Sequence, residues 1–169
     1  MQSDEETGLE KRATVSENQD TLSVEIRELP ILRVACATYK PEASEENMGK
    51  GIRTLFERVQ AWLQELGYDP YTRLTIGTIA SAEEQLLRYE CCIELPEQVQ
   101  TSPEGIRIKK LAGGKYAVVT IAKDAQVIPA TVHRFHQEYV PQNNLQLDGS
   151  RLIYEIYYAD VMEYCVPVL

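Results

Sequence analysis

Two stretches, Leu29-Pro30-Ile31-Leu32-Arg33-Val34-Ala35 and Leu111-Ala112-Gly113-Gly114-Lys115-Tyr116-Ala117, occupy matching places in the chain. In each, a turn signal interrupts a β-rich run: Pro30 in the first, Gly113-Gly114 in the second. A second matched pair, Glu90-Cys91-Cys92-Ile93 and Glu163-Tyr164-Cys165-Val166, follows downstream. The chain therefore reads as one β-α-β-β unit present twice, with a repeat of about 75 to 80 residues.

The elements between these anchors fit that reading. Val24-Glu25-Ile26-Arg27-Glu28-Leu29 alternates apolar and charged residues, the period of a half-buried strand. Residues 31–39 form a second β-rich run, and 40–46, with Pro41, a polar loop. Ile52, Leu55, Phe56, Val59, Trp62, Leu63 and Leu66 fall at helical spacing, with Gly67 as the stop. Strands are expected at 73–79 and 86–95. The second half repeats this order, with a short strand at 106–108, a strand at 115–121 and a helix over 126–139 that Pro141 ends. Strands at 151–158 and 162–168 then close a tight hairpin at Ala159-Asp160.

The expected fold class is α+β. Duplicated β-α-β-β modules, about 22–96 and 105–169, are each too small for a core of their own. Joined with pseudo-twofold symmetry, they make one antiparallel sheet covered by two helices, with a central groove at the seam. Residues 1–21 carry six acidic and two basic side chains and no aromatic, the composition of a disordered acidic tail.

Composition narrows the function. The 169 residues are 44% hydrophobic, enough for a real core, and carry a net charge of −9. That balance argues against direct nucleic-acid binding, which needs a basic face. No apolar run approaches the roughly 20 residues of a membrane span. The N-terminal residues lack a basic and then apolar leader pattern, so a cytoplasmic protein is expected. Cys36, Cys91, Cys92 and Cys165 show no CxxC spacing and are expected as reduced thiols packed like small apolar residues. His133 and His136 are three apart, not the four of a zinc-protease helix, and are read as part of a polar helix face. No metal site and no cofactor are indicated.

Six segments in order, VEIRELPILRVACATYK (24–40), IGTIA (76–80), YECCIELP (89–96), EGIRIKKLAGGKYAVVT (104–120), LIYEIYY (152–158) and EYCVPVL (163–169), resemble the GyrI-like small-molecule-binding domain. That module occurs as the effector-binding domain of AraC-type and BmrR-type regulators and as a free-standing protein. The resemblance spans residues 22–169. It implies a central groove for amphipathic, often cationic or aromatic small molecules, and a buried glutamate in that groove, for which Glu155 is the match. The chain departs from the family after Tyr39, where Lys40-Pro41-Glu42-Ala43-Ser44 replaces a Gly-Pro-Tyr-like turn, and in its short final hairpin.

The residues themselves agree with that placement. Glu155 interrupts a strand otherwise built of aliphatic residues and tyrosines, where a carboxylate is expensive to bury without a partner. Alternation puts Ile153, Glu155 and Tyr157 on one face and Tyr154, Ile156 and Tyr158 on the other. Ten tyrosines, each an apolar ring with a polar tip, suit a pocket for flat ligands. Tyr39, Tyr89, Tyr116 and Tyr157 are the first candidates, and Trp62 serves either as a core anchor or as a groove wall. Glu90 and Glu163 match across the repeat, and Glu163 is the better second acid because its strand pairs with that of Glu155.

Three functions remain open. A small-molecule ligand, held by Glu155 and tyrosines, is sequestered or sensed. Alternatively, the resemblance implies a hydrolase, since some free-standing members of that family look like enzymes that open strained rings of cytotoxic compounds; here Glu155 would activate water and Tyr116 orient the substrate. As a third option, the acidic surface engages a protein partner, as in gyrase-inhibitor relatives.

Overall fold

The two anchor stretches pair with each other. β1 (Ser23–Leu29) runs antiparallel to β6 (Gly114–Ala122), from Ser23 opposite Thr120 to Leu29 opposite Gly114. β2 (Leu32–Tyr39) runs antiparallel to β5 (Arg107–Leu111), from Leu32 opposite Leu111 to Cys36 opposite Arg107. The register continues unbroken from one pair to the other, so residues 23–36 and 107–120 form one long ribbon bent at Pro30-Ile31 and Ala112-Gly113. Pro30 has no N–H to give the ladder at the bend. A β-carbon on Gly113 would collide with the carbonyl oxygen of Leu29, so only glycine lets the two bends cross.

The computed structural model describes residues 22–40, 48–80 and 89–169. The acidic tail expected at 1–21, most of the Pro41 loop and the start of the strand expected at 86–95 lie outside the described residues. The remaining elements are α1 (Met48–Glu65), a 3-10 turn (Pro70–Thr72), β3 (Thr75–Ile79), β4 (Tyr89–Glu94), α2 (Val127–Arg134), β7 (Ile153–Tyr157) and β8 (Val161–Pro167). The eight strands among the described residues form one antiparallel sheet in the order β1-β6-β8-β7-β3-β4-β2-β5. The order has the same roles from either end, and the first strand of each half completes the other half. The β7–β3 pair is the seam.

Both helices cover one face. Val59 and Leu63 of α1 pack on Ala35, Ala37 and Ile93, and Phe135 packs on Ala117, Val119 and Met162. Gly67, at φ +92°, ends α1 as expected: its N–H bonds Gln64 and that of Tyr68 bonds Leu63. The opposite face has a core as well, built from Val34, Ile76, Tyr116, Val118, Tyr154, Ile156 and Cys165. The bent ribbon reaches this face, where the Tyr154 hydroxyl donates to Ala112 O at 2.7 Å and Arg151 donates to Gly113 O at 3.1 Å. Each large side chain buried in these clusters stabilises the fold by roughly 1.5–3 kcal/mol.

Two expectations are corrected. Pro141 does not end the second helix, which continues through a π-helical turn (Phe135–Tyr139) into a last turn (Val140–Gln142). In the wide turn the Val140 N–H bonds Phe135 O, and Pro141 falls at the start of the next turn, where a missing N–H is tolerated. The cysteines are not all thiols: Cys36 and Cys92 are direct cross-strand partners of β2 and β4 and form a disulfide. Cys91 and Cys165 are free and buried. The pairing depends on strand register across a separation of 56 residues, which sequence spacing does not reveal.

Two measurements follow from this architecture. Gly113→Ala lowers stability by about 1–3 kcal/mol in urea unfolding, while Gly149→Ala, where nothing lies near the added carbon, changes it by under about 0.5 kcal/mol. Alkylation of the unfolded, unreduced chain followed by mass spectrometry labels Cys91 and Cys165 alone, and reduction exposes all four cysteines to labelling.

Candidate functional site

Gly77 sits on β3 between Cys91 of β4 and Glu155 of β7. Its missing side chain leaves the space that the Tyr89 hydroxyl fills, since a β-carbon there would collide with it. Through that gap Tyr89, from β4, reaches across β3 to the seam. Its hydroxyl donates to Glu155 Oε1 at 2.7 Å, and the Tyr157 hydroxyl donates to the same oxygen at 2.7 Å. The two hydroxyl oxygens are themselves 2.7 Å apart. Two phenolic protons thus serve three close oxygen contacts, so the cluster has acceptor capacity to spare. Among the described residues Glu155 Oε2 accepts no hydrogen bond and no cation pairs with the carboxylate.

Aromatic side chains enclose this carboxylate. Phe56, on the sheet-facing side of α1, meets Tyr89 and Tyr157 edge-on, with centroids at 6.4 and 6.0 Å. Tyr39 belongs to the same apolar cluster as Tyr89, with Ile52 and Leu55 of α1. On the other side Tyr164 of β8 lies directly opposite Glu155, and its hydroxyl is 2.7 Å from His136 Nε2. His136 is carried by the π-helical turn, a widening of the helix common at functional sites. A cavity of about 570 Å³ opens beside Tyr157, lined also by Gln60, Tyr71, Arg73, Leu74 and Lys123.

The electrostatics favour neutral phenols and a neutral imidazole around one carboxylate. Burial, and then the Glu155 charge, push the Tyr89, Tyr157 and Tyr164 hydroxyls well above the ordinary tyrosine range. Burial lowers His136 below the usual imidazole value. All of these groups therefore hold hydrogen bonds without carrying charge at neutral pH.

Of the residues singled out from the sequence, the structure brings together Glu155, Tyr157, Tyr89 and Tyr39. It does not bring Tyr116 or Glu163 to them. Ala117 and Val119 of β6 face α2, so Tyr116 turns to the opposite face, where its hydroxyl donates to Leu152 O at 3.3 Å and Arg151 stacks 4.9 Å from its ring centre. Glu163 also faces that side, paired with Arg27 at 2.9 Å and accepting from the Tyr158 hydroxyl at 3.0 Å. Trp62 packs with the Val59 and Leu63 cluster of α1. Sequence reasoning missed Phe56, His136, Tyr164 and Gly77 as parts of the site. Gly77, a glycine inside a strand pattern, carried the one local signal of a close approach.

Among the described residues no group of His, Cys, Asp and Glu is arranged to hold a metal ion, and no helix is long and apolar enough to cross a membrane. The described fold resembles known structures. A hydrolase from Listeria innocua superposes with a TM-score of 0.59 at 13% identity, covering 91% of this chain and 97% of that one. The EcmrR C-terminal domain superposes with a TM-score of 0.65 at 13% identity, covering 88% and 98%. SAV2435 bound to tetraphenylphosphonium does so with a TM-score of 0.55 at 14% identity, covering 87% and 94%. At such identities these likenesses establish the shared fold. No curated protein sequence matches the chain. The sequence model of the GyrI-like small molecule binding domain matches residues 22–169, the span of the two joined halves, and the chain belongs to that family.

Proposed function

We propose that this protein binds hydrophobic small molecules, cationic or aromatic, over the β3–β7 seam, with Glu155 as the charge partner. One observation carries the reading. The Glu155 carboxylate lies among Phe56, Tyr89, Tyr157 and Tyr164, and among the described residues one of its oxygens accepts no hydrogen bond and no cation pairs with it. A cation brought to such a carboxylate gains about 4 kcal/mol at 4 Å in a partly buried setting. Ring faces add about 0.5–2 kcal/mol. Capture of tetraphenylphosphonium by SAV2435, which shares the fold, supports the same ligand class here.

On this reading the module sequesters or senses its ligand as a ligand-binding domain over 22–169, and needs neither a cofactor nor nucleic-acid contact of its own. Hydrolysis is the second reading. It rests on the Glu155 oxygen that accepts no hydrogen bond among the described residues, beside the Tyr164–His136 hydrogen bond, an arrangement able to accept a proton from water and pass it on. A protein-interaction role rests on the net charge of −9 alone.

Calorimetric titration with tetraphenylphosphonium tests the binding reading. Glu155→Gln weakens affinity about tenfold or more, and equal affinity in the variant overturns the assignment of Glu155. Gly77→Ala displaces the Tyr89 hydroxyl, removing one hydrogen bond of about 1 kcal/mol and weakening the same ligand. Mass spectrometry after incubation with an epoxide separates the readings. Recovery of the compound unchanged supports a binder, whereas a hydrated product that disappears in Glu155→Gln establishes the hydrolase.

A further inference from the structure

Glu90 and Tyr89 are neighbours on β4 and point to opposite faces, so the Glu90 cluster is separate from the Glu155 site. Glu90 is buried and accepts three hydrogen bonds: from Arg107 Nη2 at 2.6 Å, from Lys109 Nζ at 2.6 Å and from Thr78 Oγ1 at 3.2 Å. These three groups border a cavity of about 780 Å³, which Lys40 and Arg58 also line. Among the described residues that line it, this cavity therefore counts four cations, Arg58 of α1 among them, to one carboxylate, in a chain whose net charge is −9. The inversion of sign is local and large.

Glu90 organises these cations and does not neutralise the cavity. Burial pushes its carboxyl up, but Lys109 and Arg107 outweigh that and hold it below its ordinary value, so it stays ionised. Each of the two cations gives one hydrogen bond to Glu90. A guanidinium has five N–H donors and an ammonium three, so both keep donors free. The Arg107 side chain is 65% exposed, and its free donors are open to a ligand. Arg58 is positioned from α1: its Nη2 donates to Glu104 O at 2.9 Å and lies over Gly105, where any β-carbon would collide with it.

The repeat supplies an internal comparison. Lys109 stands two residues before the anchor Leu111, as Arg27 stands two before Leu29, and Glu163 matches Glu90. Four residues before the anchors, however, Arg107 of one half matches Glu25 of the other. The second corner thus holds one cation between two acids, with Arg27 bridging Glu25 and Glu163. The same scaffold stands with the opposite charge balance, so the basic cavity is not a requirement of the fold.

We infer that the cavity bordered by Lys40, Arg58, Thr78, Arg107 and Lys109 is a second ligand site, for a phosphate-bearing small molecule. Guanidinium forks pair with phosphate oxygens in bidentate fashion and lysines add point charges. The excess of three positive charges among the described lining residues suits a polyanion, and the volume lies within the range of small-molecule pockets, about 300–1,000 Å³. This site is independent of the proposed Glu155 ligand and opposite to it in sign.

Calorimetric titration of the full chain with pyrophosphate at about 0.15 M salt tests the assignment. Saturable binding is expected, weakened about tenfold or more in the Lys40→Gln/Arg58→Gln double variant, which leaves the ion pairs of Glu90 intact. Lys110→Gln, which removes a neighbouring exposed cation outside the cavity, leaves the affinity unchanged. Circular-dichroism melting of each variant establishes that it is folded. No binding of pyrophosphate, or equal affinity in the double variant, overturns the site. Tighter binding of citrate than of pyrophosphate overturns the phosphate assignment.

Discussion

An antiparallel ribbon bent at Pro30-Ile31 and Ala112-Gly113 forces each half of this molecule to complete the other. On one side of the bend, β1 is hydrogen-bonded to β6; on the other, β5 is hydrogen-bonded to β2. Neither half holds a full sheet by itself. The eight-stranded order, the central seam and the core on the helix-free face all depend on that single continuous register. The bend in turn depends on a proline that gives up a ladder bond and on a glycine where the backbones touch.

The seam is where the two halves meet side by side, and there the chemistry is unlike that of either corner. β3 and β7 place a bare glycine beside a glutamate, Gly77 opposite Glu155. The space left by the first is filled by a tyrosine hydroxyl that bonds the second. Helix packing then adds Phe56 from one side and the His136–Tyr164 contact from the other. The sheet separates two charge environments. On its helix-covered face a carboxylate lies among rings and pairs with no cation among the described residues; on the other face Glu90 and Glu163 are each tied to cations from the exchanged strands.

That exchange also explains why matched positions of the repeat have different surroundings. Glu90 receives Lys109 and Arg107 from the second half, while Glu163 receives Arg27 from the first. A duplicated scaffold therefore leaves each half free to vary the charges that it contributes to its partner. The disulfide between Cys36 and Cys92 lies within one half and ties β2 to β4, next to the ribbon arm that the other half completes.

The repeat, the α+β class, the helix stripe of α1 with its Gly67 stop, and the faces of Ile153, Glu155 and Tyr157 were determined by the sequence alone. Each rests on local periodicity or on one residue's backbone chemistry. Tertiary structure alone decided which strands are neighbours, and with that the rest. Alternation relates residues within a strand but does not say which face of that strand the helices will cover. Hence Tyr89 and Tyr116, alike in sequence context, fall on opposite sides of the sheet, and Cys36 meets Cys92. His136 joins Tyr164 because a π-helical turn aims it there, and helical spacing alone does not foretell that widening.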